Sequence, residues 1–348
     1  MKKLFFVVAL LAVVASCTKN EVIPQNDGNR EITYLTAPLT KAHSAFKTTN
    51  KFYSYAYLLT SSNWATSSSS STPYIDEAEI SYQTSVWKAG QSYYWPKNDG
   101  SSLTFFAWSN GTGTLDGSVG ECTKTTGVQF PNYDISTAAN KNKDMMVATI
   151  AADQTENTNP GDYYASEGVP TLFYHVLSSL EIQAKVAASY PNVTFKVKNI
   201  TLLANSVKGS YTQGVNAGVL PTAGTWTQAS PVVTADLQVY NNAGFTLDAT
   251  VKDLEATVDD YRILLPHTFG VDEEMQITYD IITEYISGHP VTEEVTVSKK
   301  LSEIFTETTP ASWVAGKKYT LTITLSMNEI LWDPAVENWT AGTGAWGI

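Results

Sequence analysis

The chain has 348 residues, with 22 Lys or Arg against 34 Asp or Glu and a formal net charge of −12. Nucleic-acid binding and polybasic membrane contact both need clustered cations, so this balance argues against either. Two cysteines, Cys17 and Cys122, give no disulfide framework. The length exceeds what one hydrophobic core usually supports, which makes two domains the expectation.

The chain opens MKKLFFVVALLAVVAS, with Lys2 and Lys3 ahead of an apolar run from Leu4 to Val14. That run is shorter than the roughly 20 residues a membrane-spanning helix needs, and it fits a secretory signal peptide over residues 1–16. Val14-Ala15-Ser16-Cys17 resembles a bacterial lipobox, in which the cysteine is acylated and becomes the first residue. Lipidation is therefore expected at Cys17. Loss of the signal takes the basic residues from 22 to 20 against 34 acids. Residues 17–30 are polar, with Pro24 and Gly28, and read as a flexible tether.

EITYLTAP (31–38) comes next, a short run with Ile32 and Tyr34 on one face and Leu35 on the other. A polar loop containing Lys41, Lys47 and Lys51 leads to a second strand from about Phe52. Alternating apolar runs then recur. Val193, Phe195 and Val197 share a face, as do Met275, Ile277, Tyr279 and Ile281, and Tyr319, Leu321, Ile323 and Leu325. A period of two rich in Thr, Tyr and Val predicts half-buried antiparallel strands. TLFYHVLSSLEIQAKV (171–186) reads as a strand after an irregular start. TSSSSST (66–72) and TENTNPGDYYASEG (155–168) read as solvated loops. The pattern predicts an all-β chain of two sandwiches, 31–188 and 189–348, divided at AASYPN.

Chemistry is sparse. His43, His175, His267 and His289 have no metal-site spacing to other ligands. There is no Gly-x-Ser-x-Gly elbow, and acid pairs in turns are ordinarily solvated. No catalytic residue, cofactor or metal is expected. Aromatic residues are dense at SYYWP, FFAW, ILW and ENW. They fill cores, or else they form a glycan-binding face on a surface lipoprotein, with Trp64 and Trp87 as a candidate pair.

In order, W-x5-YYWP (Trp87 to Pro96), SLTFFAW, KDMMVA, LFYHVLSSLEI, ITLLANSVKGSYT, YRILLPH and KKYTLTITL…ILWDPAVENW resemble the fimbrillin family of Bacteroidales, the Mfa-like pilins of type V pili. The resemblance covers about residues 31–348. It implies a lipoprotein precursor of two transthyretin-like β-sandwiches, anchored in the outer membrane through its acyl group and then built into a cell-surface fimbria. It implies partners as well: other fimbrial subunits, in a homopolymer or with anchor and tip proteins, and a trypsin-like maturation protease. That protease would cut after the first strand, with Lys41, Lys47 and Lys51 as candidate sites. The displaced strand would carry Ile32, Tyr34 and Leu35. A neighbour's C-terminal strand would refill the groove, with Trp332, Val336, Trp339, Trp346 and Ile348 as candidate anchors. A stalk subunit is the leading expectation, and an anchor or tip subunit of the same pilus is the alternative.

Overall fold

The computed structural model describes residues 30–36, 46–60, 62–66, 73–97, 100–156, 168–255, 257 and 260–339. Among them the fold is all-β, with one helical turn at Leu301–Ile304 and short 3-10 turns. The first half contributes β1 (Tyr34–Leu35), β2 (Phe52–Thr60), β3 (Pro73–Gln83), β4 (Val86–Ala89), β5 (Ser101–Ser109), β6 (Glu121–Thr123) and β7 (Gly127–Asp134). It continues with β8 (Met146–Ala148), β9 (Ala151–Gln154), β10 (Val169–Pro170), β11 (Phe173–His175) and β12 (Ser178–Val186). The second half contributes β13 (Val193–Ser206), β14 (Lys208–Thr212), β15 (Thr225–Gln228), β16 (Thr234–Thr246), β17 (Lys252–Asp253) and β18 (Ile263–Leu264). Last come β19 (His267–Thr268), β20 (Glu274–Thr283), β21 (Val291–Lys300), β22 (Ser312–Trp313), β23 (Lys317–Leu325) and β24 (Ile330–Asn338).

A nine-stranded sheet runs β10-β1-β4-β3-β2-β5-β8-β11, with β9 also on β5. Its central strands are apolar on both faces, because each face covers a different core. From β2 and β5, Phe52, Ala56, Leu103 and Phe105 enter one core together with Ile32, Tyr34 and Trp87. Tyr55, Tyr57, Phe106 and Trp108 enter the other, with Phe130 and the C-terminal strands. This explains why β5 reads as a continuous apolar run rather than an alternating one.

The C-terminal strands, joined by β12 from the first half, form two sheets, β17-β12-β23-β24 and β16-β13-β20-β21. Tyr319, Leu321, Ile323 and Leu325 all face inward and are buried, as the alternation predicts. In β13 the buried set changes phase, from Phe195 and Val197 to Ile200 and Leu202. A bulge between Val197 and Asn199 in both of its ladders supplies the extra residue.

A division at 188/189 remains a proposal. The ladders add that β12 pairs in parallel with β23, and that β7 pairs with β14 across that position.

Burial pushes the phenols of Tyr74, Tyr240 and Tyr319 up to about 12 from an ordinary 10.0. Between those values the unfolded chain releases protons that the native chain keeps. Their contribution to stability is therefore complete below pH 10.0 and is lost as pH rises towards about 12. The urea midpoint is expected to fall across that window, with phenolate absorbance appearing together with unfolding rather than ahead of it.

Candidate strand-exchange site

Residues 30–36 lie between two partners. On one side Ile32 N–H donates to Tyr93 O (2.8 Å), Trp95 N–H donates to Arg30 O (3.1 Å) and Tyr34 pairs with Trp87. On the other, Val169 N–H donates to Thr33 O and Thr171 N–H to Leu35 O, both at 2.8 Å. Gly168, at φ +131°, lies so close that a Cβ there would meet Thr33 and Tyr34 backbone at 2.9 Å. Only glycine fits both that conformation and that approach. The first strand is thus an interior strand of a large sheet, although its named core is only two residues long.

Its side chains alternate. Ile32, Tyr34 and Thr36 are buried, while Glu31, Thr33 and Leu35 are half-buried. The Tyr34 ring meets Phe52 edge-on at 5.5 Å and Phe105 at 6.0 Å. Burial holds its phenol far above the ordinary value. The Tyr34 hydroxyl and Ser54 Oγ line one narrow crevice with Phe105, Ala148 and Thr171, and neither makes a hydrogen bond of acceptable geometry. Glu31 fixes the strand from its half-buried face. Ser92 Oγ donates to its carboxylate at 2.6 Å, and Lys88 Nζ lies 3.6 Å away.

The loop lysines differ. Lys47 is exposed in a turn closed by Asn50 N–H donating to Lys47 O (2.9 Å). Lys51 is ion-paired to Glu79 at 2.6 Å, and its N–H donates to Thr112 O. Lys41 lies outside the described residues. Phe46, just ahead of Lys47, was not foreseen as a site residue. It is buried, stacked on Phe173 at 4.6 Å and packed against Phe52 and Trp87. The available signal was that it is the only large apolar residue between 41 and 51.

At the other end of the chain, β24 is an edge strand with a single neighbour, β23. Trp332 and Val336 are half-buried on its inner face, opposite Ile323 and Tyr319. Trp339 closes the strand, with its N–H donating to Gly316 O at 2.7 Å and its ring stacked on His175 at 3.9 Å. His175 Nδ1 in turn lies 2.7 Å from Asp144. Trp346, Ile348 and Cys17 lie outside the described residues. Trp64 and Trp87 are buried in different cores, so the pair offers no shared surface to a glycan. Cys122 is half-buried, and burial pushes its thiol well above the ordinary value.

The fold resembles a crystal structure of a fimbrial protein from Bacteroides vulgatus, with TM-score 0.65 and 19% identity over 90% of this chain and 100% of that one. A Bacteroides uniformis protein described as a cell adhesion protein matches at TM-score 0.49 and 18% identity, over 90% of this chain and 100% of that one. A tip fimbrial protein from Porphyromonas gingivalis matches at TM-score 0.35 and 8% identity, over 84% of this chain and 94% of that one. At 19% identity the first of these speaks to fold alone. No curated sequence matches. The sequence model of the fimbrillin-like family matches residues 40–339, and the chain belongs to that family.

Proposed function

We propose that the chain is a structural, non-enzymatic stalk subunit of a cell-surface type V fimbria serving adhesion. It is made as an outer-membrane lipoprotein precursor acylated at Cys17. A trypsin-like protease cuts after the first strand, the strand leaves, and the C-terminal segment of another subunit takes its place. The observation that carries this reading is the position of β1. It is held by a ladder on each side, yet the sequence after it carries Lys41, Lys47 and Lys51 before the next strand begins. Its removal would open a groove with unpaired backbone on both walls and an aromatic floor.

Four or five incoming side chains at 1.5–3 kcal/mol each give about 6–15 kcal/mol of gross stabilisation, from which ordering the strand subtracts. Dissociation would then require stripping a whole strand at once.

Limited trypsin digestion of the purified precursor tests the reading. Of the two described lysines, Lys47 is expected to be cut first. Lys51 is protected by its ion pair and backbone bond. The new N-terminus, read by mass, should be Thr48, and a native gel should show a ladder of oligomers. Clean cleavage with no oligomers would sink the stalk reading and move the protein to an anchor or tip role.

A further inference from the structure

The first strand begins Glu31-Ile32-Thr33-Tyr34, and the segment entering β24 reads Glu329-Ile330-Leu331-Trp332. Both carry an acid, then Ile, then a large aromatic at the same spacing, so Ile and the aromatic share a strand face in each. We propose that residues 328–334 of a second copy occupy the place of residues 30–36 in this register. Ile330 then replaces Ile32, Trp332 replaces Tyr34 and Glu329 replaces Glu31. This rests on the strand-exchange reading above and adds the donor residues and their register.

The backbone permits it. Besides its ladder pairs through Tyr34 and Leu35, the first strand uses the N–H of Ile32 and the carbonyls of Arg30, Thr33 and Leu35. The equivalent residues are Ile330, Asn328, Leu331 and Asp333, none of them proline. Pro334 falls at Thr36, whose N–H makes no hydrogen bond among the described residues. A residue without an N–H loses nothing there.

The side chains gain from the move. In their own sheet Ile330 and Trp332 are half-buried on an edge with one ladder. In the groove they take positions where Ile32 and Tyr34 are 2% and 4% exposed, with a ladder on each side. An indole would replace the phenol, and its N–H would be a donor for Ser54 Oγ, which meets the Tyr34 hydroxyl only in poor geometry in the uncut chain. Burying an aromatic with its polar tip satisfied is worth more than burying one whose hydroxyl is poorly paired.

Charge sets the register. Lys88 and Ser92 hold the Glu31 carboxylate, and they are left without it once the first strand has gone. Glu329 is exposed in its own sheet and would bring a carboxylate to the same pair. A slip by one residue would point Ile330 and Trp332 away from the aromatic floor and move the acid off Lys88.

A carbodiimide that joins contacting amines and carboxylates tests this on the full chain, using a mixture of isotope-labelled and unlabelled protein. Before trypsin the expected link is Glu31 to Lys88 within one chain. After trypsin it is Glu329 of one copy to Lys88 of another, in the laddered fraction. Glu329→Lys should lower oligomer yield about tenfold by placing like charges together, and adding Lys88→Glu should restore it. Glu329 is exposed, but Lys88 is half-buried beside Glu31, so urea unfolding of the uncut variants checks that the monomer is intact. Oligomers that join Lys88 to a different carboxylate, or a Glu329→Lys variant that ladders like the parent, would overturn this register and leave strand exchange standing. A cut protein that forms no oligomers would overturn both.

Discussion

Replacing Trp332 with alanine is expected to stop polymerisation of the trypsin-cut protein while leaving the monomer folded. A buried aromatic anchor at an interface is worth about 2–4 kcal/mol on truncation, which is roughly 30- to 1,000-fold in affinity at every junction. In the monomer the same ring is half-buried on an edge strand, so the loss there is smaller, about 1–1.5 kcal/mol. Tyr34 supplies the reciprocal test, because it acts in the precursor and leaves with the first strand. Tyr34→Ala is expected to loosen the uncut chain by about 3–5 kcal/mol, since it empties an aromatic site. Tyr34→Phe should do the opposite. Its hydroxyl meets only Ser54 Oγ, in poor geometry, and removing it relieves up to about 1 kcal/mol. The phenylalanine variant should show a higher urea midpoint before cutting, slower strand release after it, and the same final polymer. Trp332→Ala protein that ladders normally, or Tyr34→Phe precursor that unfolds earlier than the parent, would contradict this division of labour.

Much of the fold is legible in the sequence wherever burial is one-sided. The inward set Tyr319, Leu321, Ile323 and Leu325 follows from alternation alone, because side chains in a strand change face at every residue. Two-sided burial erases that signal, which is why the alternation fails in β5. Pairing is harder to read, because partners are chosen by packing at long range. Nothing local to β12 says that it lies parallel to β23, more than a hundred residues later. The candidate site divides the same way. Ile32 and Tyr34 were visible as a face, but Phe46 was not, because a single aromatic in a polar loop has no period. The likeness of Glu31–Tyr34 to Glu329–Trp332 was present in the residues from the start. It acquired meaning only when one segment proved to be an interior strand and the other an edge.

If β24 leaves for a neighbour, the sandwich it abandons must stand without its edge strand, and one buried pair is placed to hold it. His267 in β19 has Nε2 2.9 and 3.0 Å from the Glu273 carboxylate and Nδ1 2.7 Å from Leu265 O. Glu273 also accepts from Ser206 N–H at the end of β13, and its own carbonyl accepts from Leu301 N–H. The pair therefore joins β13, β19 and the helical turn after β21, out of contact with solvent. Glu273→Ala would leave His267 Nε2 and the Ser206 N–H buried with no partner. Breaking such a pair from one side costs about 3–5 kcal/mol, a large share of the 5–15 kcal/mol that holds a typical domain. Glu273→Gln keeps an acceptor oxygen and should lose less, about 1–2 kcal/mol. Replacing both partners, as His267→Phe with Glu273→Leu, removes the unmet imidazole but leaves Ser206 N–H and Leu265 O without their side-chain partners, and should recover only part of the loss. Urea midpoints are expected to rank Glu273→Ala lowest, then the double variant, with Glu273→Gln nearest the parent. The polymer yield of cut protein should follow the same order, because a sandwich that opens when β24 departs aggregates instead of presenting its strand. A Glu273→Ala protein with the parent's midpoint would show that other contacts hold these three elements together.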